Sequence, residues 1–163
     1  MKIAKKLYRD RAARWVGDDL AEYMGYAITT ELAPKVRDEM LARRRRNIQV
    51  GLLDHGRSHY DLTKEFLVKR GGKKGEASEQ RPAEGISDPG YAVSLAFCLQ
   101  IAQKHGEGVI KEFWQRLSRR GFPNAKEAAR ILSELTGEDI WAKLQKMDLR
   151  EVLQTLGRAA GTP

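Results

Sequence analysis

Residues 15–26 read W-V-G-D-D-L-A-E-Y-M-G-Y. Trp15, Val16, Leu20, Tyr23 and Met24 recur at spacings of one to four, the period of a helix with a buried face rather than the alternation of a strand. Followed in both directions, the pattern takes in Ile3, Leu7, Ala12, Ala27 and Ile28. The stretch therefore predicts a long amphipathic helix, with Gly17 and Gly25 as the points where it would break. Inside it, Asp18 and Glu22 stand one helical turn apart, which sets both carboxylates over one patch of surface. Paired acids of this kind suit a cation or acid–base chemistry. A solvated helix edge, with Arg11 and Arg14 close by in sequence, is the plain alternative.

Leu32-Ala33-Pro34 closes that helix, because the residue before a proline disfavours helical backbone. Pro34 suits the first turn of the next, whose apolar face is Val36, Met40, Leu41, Ile48 and Leu52. This second helix contains four consecutive arginines, Arg43, Arg44, Arg45 and Arg46. Four in a row cover every side of a helix, so at least one must pair or lay its stem along the core. Asp54 to Ser58 reads as a turn, followed by a short predicted helix from about Tyr60 to Arg70. Residues 71–88 lack periodicity and are rich in Gly, Lys, Glu and Ser, which predicts a mobile loop.

Beyond the loop, Asp88-Pro89 reads as an N-cap and an N1 proline. Gly90 to Lys104 is the most apolar helix of the chain and should lie centrally, as a helix apolar nearly all round must. The pattern then predicts a helix with Val109, Ile110, Phe113, Trp114 and Leu117 inward. A helix capped by Asn124 and Glu127 and ended at Thr136-Gly137 follows, then one from Asp139 to Met147, and a last one opened by Asp148 and Glu151. No stretch alternates at period two. The fold expected is all-α, a single multi-helix domain of about seven helices over residues 1–163.

The 163 residues suffice for a real core, and 41% hydrophobic with 32% charged residues is an ordinary globular balance. One cysteine, Cys98, excludes an intrachain disulfide and makes a reducing compartment the default. Its setting among Phe97, Leu99 and Ile101 is that of an inert core thiol. No apolar run approaches a membrane span, the N-terminus has no apolar signal segment, and a cytoplasmic location without membrane contact is expected. The glycines at 71–75 lack Walker spacing and a preceding strand.

Trp15-Val-Gly-Asp18-Asp19-Leu20-Ala21-Glu-Tyr23 resembles the W-L-x-E-G-x-A-x-Y segment of gluzincin zinc peptidases, the thermolysin-like and peptidase-MA-like group. Trp15, Leu20, Ala21 and Tyr23 match; Asp18 stands at the position of the family's zinc-ligating Glu, and Asp19 replaces its Gly. Tyr91 to Phe97, the Lys104-His105-Gly106 break, the Ile110/Phe113/Trp114/Leu117 helix and Glu127-Ala128 through Leu135-Thr136-Gly137 are similar, in order, to the group's helical C-terminal half. The resemblance covers about two-thirds of the chain. It implies a zinc ion, with Asp18 as third ligand and Glu22 beside it. It also implies an upstream H-E-x-x-H, which supplies two ligands and the base that activates water. Residues 1–14 contain no histidine. The chain so read is a catalytically incomplete metallopeptidase-like domain. It would act as an interaction module for a protein partner, or as part of a split peptidase whose missing catalytic half is another chain. Trp15 should then abut the apolar helix around Phe97.

His55 and His59 keep the i, i+4 spacing of a histidine pair but with Gly56 where a catalytic Glu would stand. With Asp18 and Glu22 they make up the metal-ligand set open to this chain, although Gly56 and Ser58 favour a turn and an accidental pair. The formal net charge of +8 and Arg43 to Arg46 support a second reading, a basic helical module that binds nucleic acid or an acidic protein partner. No helix-turn-helix or zinc-finger signature accompanies them.

Overall fold

The computed structural model describes residues 14–65, 89–121 and 123–161. The expected loop at 71–88, the Asp88 cap and the residues before Arg14 lie outside them. Seven α-helices occur among the described residues: α1 (Arg14–Leu32), α2 (Pro34–Gly51), α3 (Gly90–His105), α4 (Glu107–Arg119), α5 (Ala125–Thr136), α6 (Ile140–Gln145) and α7 (Leu149–Ala159). The fold is all-α, with one two-residue antiparallel pair, β1 (His59–Tyr60) and β2 (Met147–Asp148), His59 facing Asp148 and Tyr60 facing Met147.

The central element is α3, where every residue from Ala92 to Ile101 is buried. It packs against α1, α2, α4 and α7, as its apolar character on all sides demands. Each neighbour turns a stripe toward it. Trp15, Val16, Leu20 and Tyr23 come from α1, Leu41 and Ile48 from α2, Ile110, Phe113 and Leu117 from α4, and Val152 and Leu156 from α7.

Boundaries follow the capping residues. Asn124 accepts a hydrogen bond from the Glu127 N–H at 3.0 Å, Asp139 one from the Ala142 N–H, and Asp148 two, from the Arg150 and Glu151 N–H groups. The expected capping box at Asn124 is only half made, because the Glu127 carboxylate turns to Arg120 and Arg130. Gly137, at φ 73°, ends α5 in the left-handed conformation open to glycine.

The structure departs from the sequence reading at five places. The first helix does not break at Gly17 or Gly25, since tertiary packing on α3 carries it through both. Met24 and Ile28, expected inward with Trp15, point outward. Val36 and Trp114 are exposed as well, lying at the edges of stripes whose centres are Leu41 and Phe113. The helix expected from Tyr60 does not start there. His59 and Tyr60 pair with β2, the Leu62 N–H donates to the Leu144 carbonyl at 2.9 Å, and Asp61 folds back on Thr63; residues 66–70 lie outside the described set. The Asp139–Met147 helix stops at Gln145 because Met147 is drawn into the same pairing.

Candidate functional site

The inner face of α1 is set by three residues at i, i+4 and i+8: Trp15, Asp19 and Tyr23, all buried. The Trp15 ring meets Phe97 edge-on at 6.0 Å between centroids and stacks on Phe113 at 6.4 Å, the contact with α3 expected from the sequence. Tyr23 lies 6.5 Å from Tyr26, and burial, followed by the charge of Glu107, pushes its phenol up to about 12.

Asp19 is the unusual member. Its side chain is 1% exposed, and among the described residues neither carboxylate oxygen has a hydrogen-bond partner. The Trp15 Nε1 beside it is equally unpartnered. Both line a narrow cavity of about 10 Å³, room for roughly one water, together with Cys98 and Phe113. Desolvation, reinforced by the charges of Asp18 and Glu22, raises the Asp19 carboxyl well above the usual range, and burial with the Asp19 charge raises the Cys98 thiol. Burial thus favours the protonated form of both the Asp19 carboxyl and the Cys98 thiol.

The two acids singled out by their spacing are used differently. Asp18 lies half-buried at the margin of α1. Glu22 is held by Arg44, which closes on both its oxygens and lies over the Tyr91 ring. His55 is exposed at the end of a 3₁₀ turn (Leu53–His55), and His59 sits in β1 with its Nδ1 2.8 Å from the Ser58 hydroxyl. Gly56, left-handed at φ 75°, confirms the turn between the histidines. Among the described residues no three His, Cys, Asp or Glu side chains converge as a metal-donor set, so Asp18, Glu22, His55 and His59 are not gathered into one.

The four arginines divide in pairs. Arg44 belongs to the Glu22 pair. The Arg45 guanidinium lies against Gly157 of α7, where a Cβ would come within 3.8 Å of it. Arg43 and Arg46 are exposed. An open groove of about 560 Å³ lies beyond the end of α2, lined by Gln49, Arg57, Ser58, Asp148 and Arg150 among others.

The feature whose residues the sequence reading did not identify is the outer face of α1. Two adjacent i+4 rows run along it, a small one of Gly17, Ala21 and Gly25 and a bulky one of Met24, Ile28 and Leu32. Met24, Ile28 and Leu32 are 55%, 52% and 79% exposed, and Val36, near the start of α2, is 52% exposed as well. A helix with apolar residues on both sides is ordinarily covered on both; among the described residues α1 is covered on one. The signal was present in the sequence as the lack of any charge at positions 17, 21, 24, 25, 28 and 32.

Comparison with protein-family models, with curated proteins and with solved structures finds no match to the chain.

Proposed function

We propose that the chain is a helical interaction module, laid out like the C-terminal helical half of a gluzincin peptidase but without catalytic machinery of its own, and that the outer face of α1 receives a helix from a partner. The observation that carries this is the row Met24, Ile28 and Leu32, large apolar side chains at i, i+4 spacing along α1 and open to water. Soluble proteins seldom leave such a row exposed unless it is an interaction site. Its i, i+4 spacing beside a row of small residues suits a helix laid into a groove.

The non-catalytic reading is supported by the engagement of Glu22 by Arg44 and by the lack of a three-donor cluster among the described residues. No hydrolytic step is therefore assigned to this chain. Asp18 borders the open face by helical spacing, being one turn from Ala21 and two from Gly25. In the split-peptidase form of the reading, a missing catalytic half would dock beside it. The nucleic-acid reading is favoured by Arg43 and Arg46, which are exposed, and opposed by Arg44, whose guanidinium is held by Glu22.

Two measurements test the proposal. A photo-crosslinking benzoylphenylalanine in place of Ile28, in cells making the full chain, gives a discrete adduct absent when the probe replaces the exposed Gln154. Equal labelling at the two positions overturns the docking face. Purified chain binds no stoichiometric zinc and cleaves no generic peptide; zinc binding with hydrolysis by this chain alone overturns the non-catalytic assignment.

A further inference from the structure

We infer that the groove beyond the end of α2 binds a small phosphate ester, with the phosphate on Arg57 and Arg150 and the organic part against Leu53 and Leu153. This site is separate from the outer face of α1 and stands whether or not that face docks a partner.

The first argument is space and lining. The groove holds about 560 Å³, within the range of small-molecule pockets. Leu53 and Leu153 line it together with Arg57 and Arg150, so apolar wall and cationic groups share one space. A bare inorganic ion makes no use of the leucines, whereas an ester carries an apolar part to lay on them.

The second argument is the donors on offer. Arg57 donates through its Nη2 alone, to the His59 carbonyl at 3.0 Å and to Glu65 at 2.7 Å. Its Nε and Nη1 make no hydrogen bond among the described residues, and its guanidinium is steadied 5.6 Å above the Tyr60 ring. The Arg150 guanidinium is exposed and has no ion pair among the described residues. Two guanidinium forks offer more N–H groups than a carboxylate has oxygens. They suit the three terminal oxygens of a phosphate monoester, which carries about −1.5 to −2 charge at pH 7.

Arg45 adds a third positive charge. It stands one helical turn before Gln49 of the lining, and its guanidinium lies against Gly157, one turn past Leu153. Its buried Nε has no hydrogen-bond partner, so no acid of the described chain has claimed that nitrogen. Asp148 is the acid that lines the groove with the arginines. Its Oδ1 already accepts the Arg150 and Glu151 N–H groups at 2.8 and 3.0 Å. The net charge of +8 favours the approach of an anion.

Titration calorimetry of the full chain with phenyl phosphate, inorganic phosphate and phenol, at matched ionic strength, tests the inference. Phenyl phosphate is expected to saturate one site with a Kd below about 1 mM, inorganic phosphate to bind about 10-fold more weakly, and phenol not to bind. Arg150→Gln, which breaks no ion pair of the described fold, should weaken both phosphates about 10-fold or more. Arg43→Gln, on the side of α2 away from Arg45, should change neither. No saturable binding of either phosphate up to about 10 mM overturns the site. So does an Arg150→Gln variant that binds like wild type, or an equal loss from Arg43→Gln. Equal affinity for the two phosphates overturns the ester, as does phenol binding as tightly as phenyl phosphate. A random duplex that displaces phenyl phosphate at far lower concentration makes the groove part of a nucleic-acid track and overturns the small ligand.

Discussion

The Arg44 guanidinium grips both carboxylate oxygens of Glu22, with contacts of 2.8 to 3.0 Å, while lying 5.3 Å above the centre of the Tyr91 ring. One side chain of α2 thereby ties α1 to α3. Both partners are largely shielded, at 14% and 17% side-chain exposure, so removing one strands the other in a poorly solvated place. Arg44→Met is expected to cost about 2–3 kcal/mol in urea unfolding, and Glu22→Gln somewhat less because the cation keeps its ring. The double variant should fall short of the sum by about 1–2 kcal/mol. Strict additivity would mean that the pair is not coupled.

The arginine run behaves accordingly. Phosphate contacts made by residues 43–46 fall to Arg43 and Arg46, the two that are exposed. Replacing both by Gln should lower the slope of log affinity for a random duplex against log salt by about 2, whereas Arg44→Gln should leave the slope alone and lower stability. If the wild-type chain fails to bind a duplex at low salt, the nucleic-acid reading is eliminated. An equal loss of slope from Arg44→Gln would show that the Glu22 pair opens in solution.

What could be read from sequence were the elements whose cause is local. The caps at Asn124, Asp139 and Asp148 and the apolar run of α3 depend on neighbours within a few positions, and they stand where the pattern puts them. The β1–β2 pair joins residues almost ninety apart, and no local period announces it. At the site, Trp15 meets Phe97, the contact expected from the resemblance, and the i, i+4 rule made Asp18 and Glu22 neighbours. It also sets Asp19 in line with Trp15 and Tyr23, although the sequence reading noted Asp19 only as the replacement of the family's Gly. Whether Met24 and Ile28 face core or water depends on which of two apolar sides meets α3, and a spacing pattern with two apolar sides does not say.

Asp148 links the strand pair to α7. Its carboxylate accepts the Arg150 and Glu151 N–H groups at 2.8 and 3.0 Å, and these bonds, the Glu151 one foremost, hold its pKa below the usual range. A depressed acid stabilises the fold above its unfolded pKa, near 3.9, and loses that contribution as pH falls through the lower folded value. Asp148→Ala should cost about 1 kcal/mol at pH 7. Asp148→Asn keeps a cap but removes this part of the acid sensitivity below roughly pH 4. Urea midpoints at neutral and acid pH separate the two effects, and an unchanged midpoint in the Ala variant would contradict the capping role.

Asp19 has the opposite sign. Its carboxyl is raised by desolvation first and by Asp18 and Glu22 second, while Cys98 faces it from α3. The folded state therefore holds a proton that the unfolded chain releases near pH 3.9. Stability tied to that proton is complete below the unfolded pKa and declines as pH rises toward the raised folded value. Beyond it, the protein must either carry an uncompensated buried anion or open the α1–α3 contact. Asp19→Asn has nearly the same shape and no titration, so its advantage over wild type should grow with pH from about 4 upward. Asp19→Leu, which removes the unpartnered polar atoms as well, should be the more stable of the two wherever the cavity admits its methyls. Parallel urea curves for wild type and Asp19→Asn from pH 4 to pH 9, with a constant difference throughout, would show that the carboxylate finds solvent or a cation in the folded protein and is not the buried neutral acid described above.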